Sequence, residues 1–261
     1  MRRVLVVLVV LPLLGAGRCG GGEEELNSDE QAEVTLHGSG VVAAHQALVA
    51  VDQTMEIDPT LDVTKTPEQN ADAIRQRAAD GGGCVTATVS GATVTVTFGA
   101  GCSVRGSTIS GQLSLTVTKI AGTITVVATF VGVEVDGKHL DGSIQLMTTG
   151  DGTYQVTFNL TSGDTTVTGD VGLVGAPGEL TLSGTLTTAG EGRNASATLT
   201  DLHYVIGDCY PSGGTLSIAS TRFTGTITFL ATTPQDGQVV IGRGRLQTTV
   251  SLPAYGSCPP G

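Results

Sequence analysis

Apolar residues recur at every second position from Cys84 onward, and this pattern restricts the fold more than any other feature of the chain. In segment 93–98, valine and phenylalanine alternate with threonine, and in segment 153–160 four apolar residues alternate with polar ones. A period of two is typical of antiparallel strands with one buried and one solvated face. Asp-Gly, Ser-Gly and Pro-Gly turn signals separate the segments, so we predict about twelve strands joined mostly as a meander. All five phenylalanines keep the apolar phase and are predicted to be core residues: Phe98, Phe130, Phe158, Phe223 and Phe229.

Glycine also recurs inside these strands, in register with the apolar residues on each side. An interior glycine weakens a strand, so its repeated use on one face suggests a purpose. We predict that these glycines let a large antiparallel sheet curve toward its apolar side, as an open, half-barrel-like structure. The alternative is that glycine is simply abundant, at 38 residues. The candidate sheet-curving positions are Gly111, Gly142, Gly169, Gly184 and Gly225.

Residues 28–82 have a different character and are predicted to form two helices before the sheet. Apolar residues between Val41 and Val51 fall at helical spacing. Thr66, followed by a proline and then Gln69, has the form of a capping box at the start of the second helix. The fold class is therefore mainly β, with a helical segment at 28–82 and an antiparallel β domain at 83–261.

The beginning of the chain has the features of an export signal. Arg2 and Arg3 precede an apolar run at 4–14, which is too short to span a bilayer, since a spanning helix needs roughly 20 residues. A basic start followed by a short apolar run is typical of a secretory signal peptide, predicted here at 1–18.

The segment Gly15-Ala16-Gly17-Arg18-Cys19 resembles a bacterial lipobox, although Ala16 and Arg18 depart from the usual residues. The resemblance implies cleavage before Cys19, lipidation of its thiol and, with glycine as the next residue, a place at the outer membrane. Residues 19–27 would then be the lipidated cysteine and a flexible, glycine- and glutamate-rich tether. The alternative is ordinary cleavage after Gly17, which gives a soluble secreted or periplasmic protein.

Four further cysteines are expected to form disulfides, because exported proteins meet oxidising conditions. Four cysteines allow three pairings. We favour Cys84 with Cys102, which bracket a predicted hairpin, and Cys209 with Cys258, which would tie the C-terminal tail to the sheet. A zinc site is the competing use, but the closest spacing, 18 residues, is far from that of zinc-binding pairs.

No set of residues predicts catalysis or a cofactor. The formal net charge is −11, and removing residues 1–18 would leave 10 basic and 24 acidic residues, a net charge of −14. Nucleic-acid binding depends on basic contacts with phosphates, so this balance argues against such a partner. Nucleophile-elbow and zinc-protease motifs are missing. The four histidines are not at metal-binding spacing and are predicted to be structural or surface residues: His37, His45, His139 and His203.

The alternating strand that ends in Phe98-Gly99-Ala100-Gly101-Cys102, with Gly111 in the strand that follows, resembles a group of uncharacterised bacterial envelope lipoproteins. The resemblance covers roughly 50 residues and implies an address and a fold, not an activity. The order of helices and strands is also similar to that of the half-barrels of lipoprotein carriers, at the level of architecture alone.

Two functions are compatible with these features. The first is a non-catalytic lipoprotein with a structural or protein-binding role at the cell envelope. The second is a carrier that holds a hydrophobic ligand or lipid in the curved sheet. They differ in what lies on the apolar face, because a carrier needs a cavity of several hundred Å³ there and a structural protein fills the space with side chains.

Overall fold

The computed structural model describes most of the chain between residues 30 and 252. The described residues are 30, 32, 36, 40, 41, 43, 44, 46–48, 50, 51, 61–80, 83–104, 107–176, 179–190, 192–205, 208, 210–220 and 223–252.

The strands form one open antiparallel sheet in which each strand pairs with the next along the chain. The predicted antiparallel meander is confirmed, with thirteen strands in the described chain where about twelve were expected. Strands β1 and β13 are the two edges. The bounds are β1 Val85–Ser90, β2 Thr93–Val104, β3 Ser107–Ile120, β4 Thr123–Val135, β5 Lys138–Thr148, β6 Thr153–Ser162, β7 Thr165–Ala176, β8 Glu179–Gly190, β9 Arg193–Val205, β10 Gly213–Ala219, β11 Thr224–Phe229, β12 Gln238–Arg243 and β13 Leu246–Ser251.

Two helical segments precede the sheet, as predicted. Every described residue between positions 30 and 51 is helical, and this segment is α1. Helix α2 is Pro67–Asp80. A third helix, α3, is the single turn Thr233–Asp236 between β11 and β12.

The capping box predicted for α2 is present. The backbone N–H of Thr66 donates to Oε1 of Gln69 at 2.9 Å, and the N–H of Gln69 donates to Oγ1 of Thr66 at 3.3 Å. Just before the helix, hydrogen bonds from Thr64 hold the pKa of the Asp62 carboxyl below its usual range. These local bonds fix the start of α2, which packs by Ile74 and its neighbouring alanines on β1, β2 and β3.

The alternation of the sequence becomes an alternation of burial. In β4, every second residue from Ile124 to Phe130 is buried, and the residues between these are partly or fully exposed. The pattern breaks where the pairing with β5 shifts register between Phe130 and Val133, as happens at a β-bulge. Val131 lies in this break and is 52% exposed.

One hydrophobic cluster joins both helices to twelve of the strands. It contains buried alanines of α1, Ile74 of α2 and apolar residues from every strand between β1 and β12, with Val250 of β13 packed at its border. All five phenylalanines are buried, as predicted. The sheet and the helices that precede it therefore share one core.

The five predicted glycines all lie opposite a buried apolar residue of a neighbouring strand. Three of these partners are phenylalanines, whose rings can cover a glycine on the adjacent strand. That the glycines bend the sheet stays a prediction. The pairs are Gly111 with Phe98, Gly142 with Phe130, Gly169 with Phe158, Gly184 with Val171, and Gly225 with Ile218.

Neighbouring strands approach these glycines closely. A Cβ atom at Gly142 would overlap the carbonyl oxygen of Asn159 on β6, and one at Gly111 would overlap that of Gly132 on β4. Gly142 also has a φ of +105°, which side-chain-bearing residues rarely adopt. Glycine is thus required at this position by both backbone conformation and space.

We predict that Gly142→Ala lowers the free energy of unfolding by more than Gly152→Ala does. Both glycines have positive φ, +105° and +80°, so alanine costs roughly 1–2 kcal/mol at either position. Only at Gly142 would the new Cβ also meet a backbone carbonyl, since nothing lies within 4 Å of it at Gly152. Denaturant unfolding of the two variants makes the comparison. Equal losses of unfolding free energy in the two variants would show that β6 moves aside without cost and would contradict the prediction.

Candidate functional site

Helix α1 lies against the apolar face of the sheet, where a carrier would hold its ligand. Gly40 packs so closely on Thr188 of β8 that a Cβ atom at this position would overlap the threonine hydroxyl. Further along the helix, Ala44 and Leu48 line, with Leu186, a cavity of about 20 Å³. This volume is enough for about one water molecule. The side chains of α1 therefore fill this part of the apolar face.

An ion pair between a buried glutamate and a half-exposed arginine ties the start of α1 to β12. Glu30 is 2% exposed, and its Oε1 lies 2.5 Å from Nη1 of Arg243. A buried carboxylate costs several kcal/mol unless it is paired and hydrogen-bonded. The pair therefore restricts where the beginning of the helix can lie.

The opposite face of the sheet carries rows of small polar side chains. The pairing of the strands aligns one such row across all thirteen, and Asp170 is its single charged member. Oγ1 of Thr157 donates to the Asp170 carboxylate at 2.7 Å. In order from β1 to β13, the row is Ser90, Thr93, Thr116, Val127, Gln145, Thr157, Asp170, Thr185, Thr198, Ser217, Thr226, Gly242 and Gln247.

A second row, from β1 to β9, is uncharged throughout. Sequence reasoning did not identify either row, because alternation shows which residues face outward but not which ones lie side by side. Together the rows give the outer face a dense set of hydroxyl donors and acceptors with few charges. The second row is Thr88, Thr95, Ser114, Thr129, Ser143, Asn159, Thr168, Thr187 and Ser196.

The outer face also forms an open trough of about 580 Å³ between β9 and β13. Thr198, Ser217 and Thr226 line its floor, and Gln247 lies at its β13 side. Gly242 contributes no side chain there, which adds to the depth. Volumes of this order can hold a small ligand, but ligand pockets are mostly enclosed and apolar. This trough is open, and its uncharged lining mixes hydroxyls with apolar atoms, so it suits a shallow contact with a neutral surface better than a buried ligand.

His203 joins a serine and a glutamate on the outer face. Its Nδ1 lies 2.6 Å from Oγ of Ser212, and its Nε2 lies 3.4 Å from Oε2 of Glu179. Serine, histidine and carboxylate are the groups of a hydrolase triad, in which Nε2 faces the serine. Here Nδ1 faces the serine, and the Glu179 side chain is 56% exposed. The N–H of Ser212 also donates to the carbonyl of His203 at 2.8 Å, so this cluster fastens the start of β10 to β9.

The other predicted surface histidine in the described chain, His139, lies on β5. Its Nε2 is 2.9 Å from Oδ2 of Asp141, and both side chains are about half exposed. His37 and His45 lie outside the described residues.

The Phe-Gly-x-Gly-Cys motif forms a bulge closed by a disulfide. The pairing of β2 with β3 shifts register between Phe98 and Cys102, and Gly101 has a φ of +70°. The N–H of Gly99 donates to the carbonyl of Cys84 at 2.9 Å. Cys84 and Cys102 are bonded, with their Cα atoms 5.4 Å apart, and this predicted disulfide is confirmed. Gly101 permits the positive φ of this bulge, directly before the bonded Cys102.

Several predicted features lie outside the described residues. They are the signal peptide at 1–18, the lipidation site Cys19 with its tether, and the second cysteine pair, Cys209 and Cys258. Within the described ranges, no group of three or more His, Cys, Asp or Glu side chains is placed to hold a metal ion. The helices in these ranges are all too short or too polar to cross a membrane.

Comparison with known proteins adds no counterpart. No protein-family model matches the chain, and no match was found among the curated proteins or the solved structures. The proposals below therefore depend on the sequence features and on the geometry of the helices and the sheet.

We predict that Cys209 and Cys258 form a second disulfide. Strand β13 ends at Ser251, at the same end of the sheet where β10 begins at Gly213, three strands away. Three strand spacings are about 14 Å, and the seven residues after Ser251 can span roughly 23 Å. The intact mass of the oxidised chain should therefore be lower than that of the reduced chain by four hydrogens. A loss of two hydrogens would leave Cys84–Cys102 as the single bond and contradict the prediction.

Proposed function

We propose that this protein is a non-catalytic lipoprotein of the bacterial cell envelope, with a structural or protein-binding role. Its N-terminal lipid would anchor it to the outer membrane, and the surfaces of the sheet would make its contacts. The alternative, a soluble secreted or periplasmic protein, differs only in processing at Cys19. This proposal favours surface contacts over the enclosure of a ligand.

The filling of one part of the apolar face by the described side chains of α1 is the observation that supports this role most. Sites for small apolar ligands measure roughly 300–1,000 Å³. The cavity between α1 and the sheet is about 20 Å³. A ligand in the core would first have to displace α1, together with the Glu30–Arg243 pair that holds its start.

The exposed outer face and edges of the sheet can bind other molecules without enclosing a ligand. The hydroxyl rows can donate and accept hydrogen bonds without attracting a highly charged partner. The sheet also has two edge strands, and backbone groups at a free edge can bind another strand. Both features suit contacts with a protein or with another neutral polar surface.

Carriage of a hydrophobic ligand or lipid remains the second candidate, and the composition of α1 favours it. The residues that α1 buries in the core include Ala43, Ala44, Ala47 and Ala50. Burial stabilises a side chain in proportion to its apolar area, so alanines hold a helix less firmly than larger residues would. Movement of α1 away from the sheet would expose a continuous apolar surface.

Native mass spectrometry separates the two functions. We expect the chain from residue 20 onward, purified from a bacterial periplasm, to have the same mass under native and denaturing conditions, because α1 occupies the space a ligand would need. Addition of a fatty acid before the measurement tests uptake directly. Extra mass that disappears on denaturation would contradict the structural role and support the carrier.

Anchoring is tested by cell fractionation of the full-length chain. We expect the wild-type protein in the membrane fraction, from which detergent extracts it, and the Cys19→Ser variant in the soluble periplasmic or secreted fraction, because the variant has no thiol to lipidate. Cys84→Ser combined with Cys102→Ser is the control, since it removes a bonded cysteine pair from the folded domain and keeps Cys19. Equal membrane association of wild type and Cys19→Ser would contradict lipidation at this residue.

A further inference from the structure

The free edge of β1 has three residues whose backbone groups point away from the sheet. The N–H of Gly99 donates to the carbonyl of Cys84, so these two residues form a hydrogen-bonded pair at the start of the β1–β2 ladder. In an antiparallel ladder such pairs alternate with pairs whose N–H and C=O groups point outward. The outward-pointing residues of β1 are therefore Val85, Ala87 and Val89.

The side chains of these same residues lie on the apolar face. Val85 is buried, Ala87 is partly buried against the core and Val89, at the end of the strand, is 39% exposed. A strand added at this edge would therefore gain backbone hydrogen bonds and would also cover Val89. In the described chain, no other strand pairs with this edge.

Within the described residues, β1 lacks the side-chain and backbone features that most often prevent pairing at an edge. Natural sheets protect an edge with charged residues, proline or bulges. Strand β1 is Val-Thr-Ala-Thr-Val-Ser, and its register with β2 is unbroken. It contains no charge and no proline.

The other edge differs in the side chains that pairing would cover. The N–H of Leu252 donates to the carbonyl of Gly237, so by the same alternation the outward-pointing residues of β13 are Gln247, Thr249 and Ser251. Their side chains lie on the polar outer face and are exposed. Pairing at β13 would thus provide backbone bonds without covering apolar side chains.

We propose that β1 is a self-association edge, at which two copies of this chain pair to form one continuous sheet. A two-fold axis perpendicular to the sheet, midway between the Ala87 residues of the two copies, places Val85 of one copy opposite Val89 of the other. In this register the outward N–H and C=O groups face each other, and the apolar faces of both copies lie on the same side. The contact is self-complementary, as an isologous interface must be, and the uncharged strands bring no like charges together.

Sedimentation velocity over a range of concentrations tests this pairing with the chain from residue 20 onward, which retains every described residue. We expect wild type to form dimers. Ala87→Pro, which removes an outward N–H but no bond to β2, should raise the dimer dissociation constant at least tenfold. Thr249→Pro is the matched control, because it makes the same change at the centre of β13 and should leave the dimer intact. Since both copies are acidic, added salt should strengthen the dimer by screening their repulsion.

A second variant distinguishes lost pairing from lost folding. Val89→Lys keeps every backbone group of β1 and places a charge at an exposed position that the dimer would cover, so it should also give monomers. Circular dichroism should show that all the variants fold. Wild type that is monomeric at every concentration would overturn the proposal. If neither β1 variant weakened the dimer, the contact would lie elsewhere and the proposal would be overturned. Loss of the dimer with Thr249→Pro alone would overturn it in the same way.

Discussion

The burial of one apolar sheet face by α1 and α2 is the contact on which the rest of the structure depends. An exposed apolar surface of this extent would aggregate in water. The fit of α1 requires small residues, since Gly40 packs directly on Thr188 and the alanines that follow allow the helix to approach the strands. The Glu30–Arg243 pair then restricts its position at one end. Of the sheet itself, the described residues leave the hydroxyl-rich outer face and the two edges exposed.

This division of the surface accounts for the function that we propose. The interior has little free volume near α1, and the His203 cluster serves to hold β10 against β9. Contacts with other molecules would then be made by backbone groups at an edge or by neutral hydroxyls on the outer face. Neither surface attracts ions strongly, and this is consistent with a chain whose charged residues make up only 14% of its length.

Local patterns in the sequence predicted the features that depend on near neighbours. The capping box of Thr66 and Gln69, the alternating strands and the Cys84–Cys102 bond all follow from residues close together in the chain. The role of Gly40 could not be predicted in this way. In the sequence it only weakens a helix, and its use depends on Thr188, a residue nearly 150 positions later.

The candidate surfaces were also beyond the reach of sequence patterns. The outer rows depend on the register of every strand, and one shifted pair would break them. The bulge that leaves Val131 exposed interrupts an otherwise regular apolar pattern. Gly132, with a φ of +58°, lies in this bulge, but among so many strand glycines it does not by itself show where the register shifts. The buried partner of Arg243 lies more than two hundred residues away, and a charge on a strand gives no sign of such a contact.

The meander has a consequence for the order in which this chain can fold. Each strand pairs only with its neighbour in sequence, so hairpins can form one after another as the polypeptide emerges from a ribosome or an export channel. Helix α1 emerges before the sheet, yet the strands that it contacts at Thr188 and Arg243, β8 and β12, are made in the second half of synthesis. Until then the helix lacks these contacts, and a growing chain carries an unfinished apolar sheet. Completion of the last strands, rather than formation of the first, therefore closes the core.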